Sequence, residues 1–277
     1  MKRWAGGIHG FALGVVLAAG SPSAAAANPG NGLIGAVPLP ALDGSLADGT
    51  TSFSNGAIAY RPAQLPDRPA SVLVLLHGAG EPAGAMIGQL RQQADRFGLV
   101  LLAVQSAGPT WDLVASLAAS GDPIGLKLRR PPRFGRDPQR IDRAMAQLFG
   151  LIAVDRSRIA IAGFSDGAST ALSIGLANPQ LFSGVIAMSP GLVLLPPTGV
   201  MRQRIVITHG HQDRVLPFAV SKRDIAGLIE RAGYRPSFIA FDGDHRIDRS
   251  SLEQGLAILF PGAEGQRALH PNPPPAH

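Results

Sequence analysis

Ser165, Asp213 and His245 are, by type and by order along the chain, a set of residues that could carry out acyl transfer. A serine hydroxyl is a weak nucleophile on its own. A neighbouring imidazole can take its proton near neutral pH, and a carboxylate can hold that imidazole in the required tautomer. Ser165 stands at the centre of Gly163-Phe164-Ser165-Asp166-Gly167. The alternating run Ile159 to Ala162 precedes it, and small helix-compatible residues from Ala168 to Ala177 follow. That pattern reads as strand, tight turn and helix. A tight strand-to-helix turn pushes its apical residue into a strained conformation, exposes the hydroxyl, and admits only glycines beside it. The helix then aims free N–H groups and its positive dipole end at a developing oxyanion. A five-residue match in a chain rich in glycine and serine is also compatible with a surface turn and an idle serine, so the context must decide.

The context is a series of apolar runs that each end in a residue suited to one part of the reaction. His245 follows the run Ser237 to Phe241 and precedes the last helical pattern. Asp213 lies one short loop beyond Ile205 to Thr208. The order Ser, Asp, His is that of one hydrolase fold and differs from both protease orders. Asp242 and Asp244 compete for the acid role, but near neighbours of a histidine on a tight turn usually point elsewhere. The first long apolar run, Val72 to Leu76, ends in His77-Gly78-Ala79-Gly80. Glycines there let backbone approach a ligand, so the N–H groups of Ala79 and Asp166 are the expected oxyanion donors. His77 is a rival base, yet it precedes the glycine turn, and a packing or loop-fixing role is expected. His209, His211 and Asp213 raise a zinc reading, because an H-x-H pair can ligate that metal. No further ligand cluster accompanies them, and neither metal nor cofactor is expected. Trp111, after Gly108-Pro109-Thr110, is a candidate wall of a substrate pocket, with a core position as the alternative.

The elements that must position these residues alternate along the chain. Strands are expected at 57–60, 72–76, 99–104, 159–162, 185–188, 205–208 and 237–241. Helical spacing links Met86, Ile87, Leu90, Ala94 and Phe97. It recurs in Ile141, Met145, Leu148 and Ile152, in Ile225, Leu228 and Ile229, and in Leu252, Leu256 and Leu259. Near-continuous apolar strands alternating with amphipathic helices predict an α/β fold with a doubly wound, mostly parallel sheet. In such sheets the reactive loops gather at the carboxyl ends of the strands.

Length and composition bound the rest. The 277 residues can bury a substantial core, and the absence of cysteine excludes disulfides, thiolate metal sites and a cysteine nucleophile. The net charge is +6, of which Lys2 and Arg3 supply two. That modest excess does not indicate nucleic-acid binding. The basic run Lys127, Arg129, Arg130, Arg133, Arg136, Arg140 and Arg143 reads as a solvated face. Residues 1–27 have the form of a secretory signal peptide: a basic start, an apolar stretch from Phe11 to Ala19, Pro22 as a breaker, and Ala24 to Ala27 as small residues for cleavage. The apolar stretch is short for a spanning helix, so no stable membrane insertion is expected after cleavage. Residues 28–56 read as a linker or irregular edge, 57–260 as the catalytic domain, and 261–277 as a proline-rich disordered tail.

Four stretches together carry a resemblance. They are Leu75 to Gly80, Val154 to Gly167, His209 to Pro217 and Asp242 to His245. In that order the chain resembles the α/β-hydrolases of the carboxylesterase, dienelactone hydrolase and polyhydroxybutyrate-depolymerase-like group. The resemblance implies a nucleophilic Ser165, a base His245, an acid Asp213, oxyanion donors at Ala79 and Asp166, and no cofactor. Asp166 departs from relatives that often carry glutamine or asparagine there; its backbone N–H can still donate, while its carboxylate could repel charge or cap the helix. The expected function is that of a secreted or periplasmic serine esterase acting through an acyl-enzyme. The short 191–201 segment leaves no room for a large lid domain. A small ester or the exposed end of a polymer would suit the open site that follows. A serine peptidase or acyltransferase on the same fold, or a non-catalytic binding protein, are the competing readings. The sequence does not specify an oligomeric state.

Overall fold

The computed structural model describes residues 32–38, 45–119, 133–196 and 203–263. The proposed signal segment, residues 197–201, the tail from 264 onward, and Lys127, Arg129 and Arg130 lie outside the described residues.

Eight strands form one sheet: β1 (Gly49–Ser52), β2 (Ile58–Arg61), β3 (Ala70–Leu76), β4 (Leu99–Val104), β5 (Val154–Phe164), β6 (Gly184–Met188), β7 (Arg204–Gly210) and β8 (Ser237–Phe241). Their order across the sheet is β1-β2-β4-β3-β5-β6-β7-β8. Pairings from β4 to β8 are parallel, and β1 and β2 add an antiparallel edge. The doubly wound α/β expectation is therefore met. The edge extends further back than the sequence suggests. The stretch read as linker or irregular edge contributes β1, whose half-exposed polar residues (Gly-Thr-Thr-Ser) carry no apolar alternation to announce a strand.

The central strands are buried on both faces, and the pleat divides their side chains between two cores. Val72, Val74 and Leu76 of β3 enter one core, and Leu73 and Leu75 the other. The first core is covered by α2 (Asp112–Ala118), α3 (Asp137–Phe149), α4 (Asp166–Ala177) and α5 (Ala226–Arg231), the last preceded by a π-helical turn at Val220–Ile225. The second is covered by α1 (Ala83–Phe97) and α6 (Arg249–Leu259). α1 buries Met86, Ile87, Leu90, Ala94 and Phe97 and stops at Gly98, whose φ of 62° suits a glycine C-cap. α6 starts at Asp248, whose carboxylate accepts from Ser251 N.

Register sets the strand ends level. Leu76 pairs with Gly163, Phe164 with Met188, Met188 with Thr208, and Gly210 with Phe241. The loops after β3, β5, β7 and β8 therefore emerge side by side, each carrying one of the candidate groups. Among the described residues no large lid domain interrupts the sheet.

Candidate active site

Ser165 sits between β5 and α4 with φ 56° and ψ −119°. A non-glycine residue with positive φ is strained, and the surroundings hold it there. Ser165 N donates to Met188 O at 2.9 Å, and Ser165 O accepts from Ala168 N and Ser169 N at 3.0 and 3.1 Å. Both flanking glycines are required by space. A Cβ on Gly163 would lie 2.2 Å from Gly167 O, and one on Gly167 would lie 2.2 Å from Leu76 O and 2.5 Å from His77 O. The turn is folded so tightly that the first turn of α4 rests directly on the end of β3.

His245 reaches this serine from the loop after β8. Its Nε2 lies 2.9 Å from Ser165 Oγ, and its Nδ1 lies 2.6 Å from Asp213 Oδ2. Phe164 backs the ring at a centroid distance of 4.8 Å. The Asp213 carboxylate is fully buried. Its Oδ1 accepts from Val215 N at 2.9 Å and Leu216 N at 2.8 Å. Burial works against its charged form, but the donors from His245, Leu216 and Val215 outweigh it and hold the carboxyl below its ordinary range. Asp213 thus stays ionised beside the imidazole. Asp242 and Asp244 are exposed; Arg246 pairs with the Asp244 carboxylate and donates to Asp242 O. The structure brings together Ser165, His245 and Asp213, and leaves the two competing aspartates outside the group.

The N–H groups of Ala79 and Asp166 have no hydrogen-bond partner among the described residues. Both belong to backbone that meets where Gly167 packs on the β3 end. The Ala79 loop is braced: Gly80 N donates to Pro109 O at 2.7 Å, and Gly78 N to Glu81 Oε2 at 3.1 Å. His77 holds the loop from below. Its Nε2 accepts from Ser106 N at 3.1 Å, which places the ring proton on Nδ1, facing Gly78 O at 2.7 Å. With both nitrogens occupied and the ring buried, His77 fixes a loop. The Asp166 carboxylate does not cap α4; it accepts from Thr110 Oγ1.

Trp111 requires a correction. It is 0 % exposed, so it cannot wall a pocket that substrate enters. Its Nε1 donates to His77 O at 2.8 Å, and its ring packs on His77. A buried indole needs a partner for its N–H, and here that partner is the backbone of the Ala79 loop. The zinc reading also finds no geometry. His209 is buried, while His211 is exposed and stacked on Phe218 at 4.5 Å. Among the described residues no three His, Asp or Glu side chains are grouped to hold a metal ion.

Two supporting residues escaped the sequence reading. Asp137 begins α3 but reaches across to accept from Ala107 N at 2.7 Å and Asp112 N at 2.6 Å, fixing the β4–α2 loop. Burial raises its carboxyl above the usual range. Ser169, one turn beyond the nucleophile, accepts from Gly191 N and Leu192 N at 3.0 and 3.3 Å, tying the post-β6 segment to α4. The Asp137-Pro138 pair is itself a helix-start signal. No sequence signal marks Ser169.

The chain is similar to known esterases. The family model described as phospholipase/carboxylesterase matches residues 134–257. Esterase YpfH from Escherichia coli is 30 % identical over 71 % of this chain and 85 % of its own length. Acyl-protein thioesterase 1 from Mycosarcoma maydis is 24 % identical over 69 % of this chain and 89 % of its own. The crystal structure of a phospholipase/carboxylesterase from Dyadobacter fermentans superposes with a TM-score of 0.54 at 20 % identity, covering 76 % of this chain and 98 % of that one.

Proposed function

The chain belongs to the phospholipase/carboxylesterase family of α/β-hydrolases, and from that premise we propose that it cleaves carboxylic esters through an acyl-enzyme formed on Ser165. The observation that carries the reading is the continuous path from Ser165 Oγ through His245 to Asp213 Oδ2, with contacts of 2.9 and 2.6 Å. His245 Nε2 takes the proton of Ser165 Oγ as the oxygen attacks the ester carbonyl. The carbonyl oxygen gains charge and is held by Ala79 N–H and Asp166 N–H. Collapse of this intermediate expels the alcohol, which takes its proton from His245. Water then repeats the sequence on the acyl-serine and releases the acid. Asp213, kept ionised, holds the Nδ1 proton of His245 in place throughout.

A small ester or an exposed polymer end suits a site without a large lid domain. We extend the proposal to export, which rests on the form of residues 1–27. N-terminal sequencing of the protein recovered outside the cytoplasm should find cleavage near Ala27; a full-length cytoplasmic protein would refute it.

The direct test of the reaction is hydrolysis of short and medium chromogenic esters by the wild type and Ser165→Ala, alongside labelling with a serine-reactive phosphonate. Both activity and label should vanish in the variant, with a residual rate at least ~10⁴-fold lower. Labelling that persists in Ser165→Ala would sink the nucleophile assignment. A folded wild type inert toward every ester and unlabelled would favour the non-catalytic reading.

A further inference from the structure

The proposed reaction uses one contact of Asp213 Oδ2, yet that oxygen has a second neighbour. His209, near the end of β7, is fully buried, and its Nε2 lies 3.0 Å from Asp213 Oδ2. The same Nε2 lies 2.8 Å from Leu216 O. Both atoms facing Nε2 are acceptors, since a carbonyl and an ionised carboxylate have no proton to give. Nε2 must therefore carry the ring proton. Nδ1 is buried without a hydrogen-bond partner among the described residues. A charged ring would leave a second N–H stranded there, so the geometry fixes a neutral imidazole in a single tautomer. The proposed reaction makes no use of it.

We propose that His209 is a positioning residue for the acid of the triad: its Nε2–H, bonded to Leu216 O and held 3.0 Å from Asp213 Oδ2, fixes the loop that carries the carboxylate and tempers the charge of the edge that His245 meets. The proposal rests on the Ser165–His245–Asp213 reading. Its geometric part follows from the loop. Asp213 Oδ1 is held by Val215 N and Leu216 N. Without His209, the described residues would restrain Oδ2 through His245 alone, the group that the carboxylate is meant to orient. The bond to Leu216 O closes the same short loop from its far end. Leu216 in turn rests on Gly191, where a Cβ would lie 3.0 Å from Leu216 Cδ2.

The electrostatic part follows from competition for one oxygen. A neutral N–H 3.0 Å from Oδ2 adds positive potential there and so weakens the carboxylate's stabilisation of protonated His245. Burial disfavours the charged form of His209, so this donor stays neutral while the triad works. The other charged groups nearby are directed elsewhere. Arg246 pairs with Asp244 and Asp248, Asp242 is exposed on the same loop, Arg214 is exposed, and Lys222 lies over Phe238. His211 stacks on Phe218, whose ring meets His209 edge-on. Among the described residues, Asp213 is thus the ionisable group in contact with His209, and His245 acts on it only through space.

Two measurements on the full-length protein test this. In the wild type with ¹⁵N-labelled histidine, NMR should show His209 as the neutral Nε2–H tautomer across the active pH range. A neutral Nδ1–H tautomer or an imidazolium would overturn the proposal, whatever the protein hydrolyses. The second measurement is the pH profile of kcat/KM on a short aryl ester for His209→Leu and His209→Gln. Leucine removes the donor, whereas the glutamine amide places an N–H at about the reach of Nε2. His209→Leu should move the acid limb up by about half a pH unit and lower the plateau about tenfold, with His209→Gln returning the limb to its wild-type position. A lower plateau with an unmoved limb in His209→Leu, or equal shifts in both variants, would reduce His209 to packing and overturn the proposal. If His209→Leu does not fold, His209→Phe takes its place, retaining ring volume without a donor. Failure of the esterase reading would appear in Ser165→Ala and leave the tautomer result standing, so the two failures are distinguishable.

Discussion

At the scale of single residues, the site separates groups that react from groups that hold them. Asp213 belongs to the second kind. It is 2.6 Å from His245 Nδ1 and keeps its charge through donors that outweigh its burial. Asp213→Asn keeps the shape but removes the charge, and its amide can present an N–H where His245 needs an acceptor. The imidazole would then be driven toward the wrong tautomer. We expect kcat to fall by about 10⁴ with KM little changed. Asp242→Asn and Asp244→Asn should each leave the rate within about twofold, since both side chains are exposed and Asp244 pairs with Arg246. Steady-state kinetics on one ester compares all three; a loss in Asp244→Asn matching that of Asp213→Asn would mean that the acid had been misassigned. The same distinction explains Trp111. An aromatic residue after a Gly-Pro turn near a strand end fits both a pocket wall and a loop brace, and only its burial and its bond to His77 O decide.

At the scale of elements, the reactive geometry depends on how closely α4 approaches β3. Gly167 is the contact point. Its missing Cβ leaves room for the carbonyls of Leu76 and His77, which are backbone atoms and cannot swing aside as a flexible side chain would. Gly167→Ala must therefore push α4 away from the Ala79 loop and separate the two expected oxyanion donors. We expect a loss of at least about 10² in kcat/KM, since a misplacement on the order of 1 Å suffices for that. Unfolding stability should fall by about 2 kcal/mol or more. Denaturant melts and kinetics on the same sample check both, and a fully active Gly167→Ala would show that the close approach is not needed. This is also where the legibility of the sequence divides. Strands such as β3 and β4 were visible because a strand buried on both faces must be apolar throughout, and the glycines of the Ser165 turn were visible because tight backbone contact excludes side chains. The β1 edge was hidden by its polar, half-exposed residues. The seven-residue α2 was too short for a helical period to stand out. The long-range ties from His77, Ser169 and Asp137 were hidden for another reason. A hydrogen bond between residues far apart in sequence leaves no local pattern in residue types.

At the scale of the whole molecule, the buried ionisable groups of the site couple its chemistry to folding. The folded state depresses two of them, His209 through burial and Asp213 through its donors, and raises Asp137 through burial. A depressed group contributes stability that is present above its unfolded pKa and lost as pH falls through its folded value. For His209 the unfolded chain takes up a proton below about pH 6.5, while the native ring resists one. Its contribution therefore fades as pH drops below that point. Asp213 adds a second loss only further down, beginning below about pH 4. Asp137 acts with the opposite sign. Its contribution is present below its unfolded pKa and gone once pH has risen through its folded value, so at neutral pH its burial is a cost accepted to fix the β4–α2 loop. Between pH 7 and pH 5 the native site itself therefore resists one added proton, at His209. In His209→Gln that position no longer titrates, so the thermal midpoint of the variant should fall less over this interval. The gap between the two midpoints should therefore change steadily as pH falls from 7 to 5. Circular-dichroism melts at closely spaced pH values measure this directly. Parallel curves for wild type and variant would show that His209 takes up its proton equally well folded and unfolded, and the neutral donor beside Asp213 would lose its physical basis.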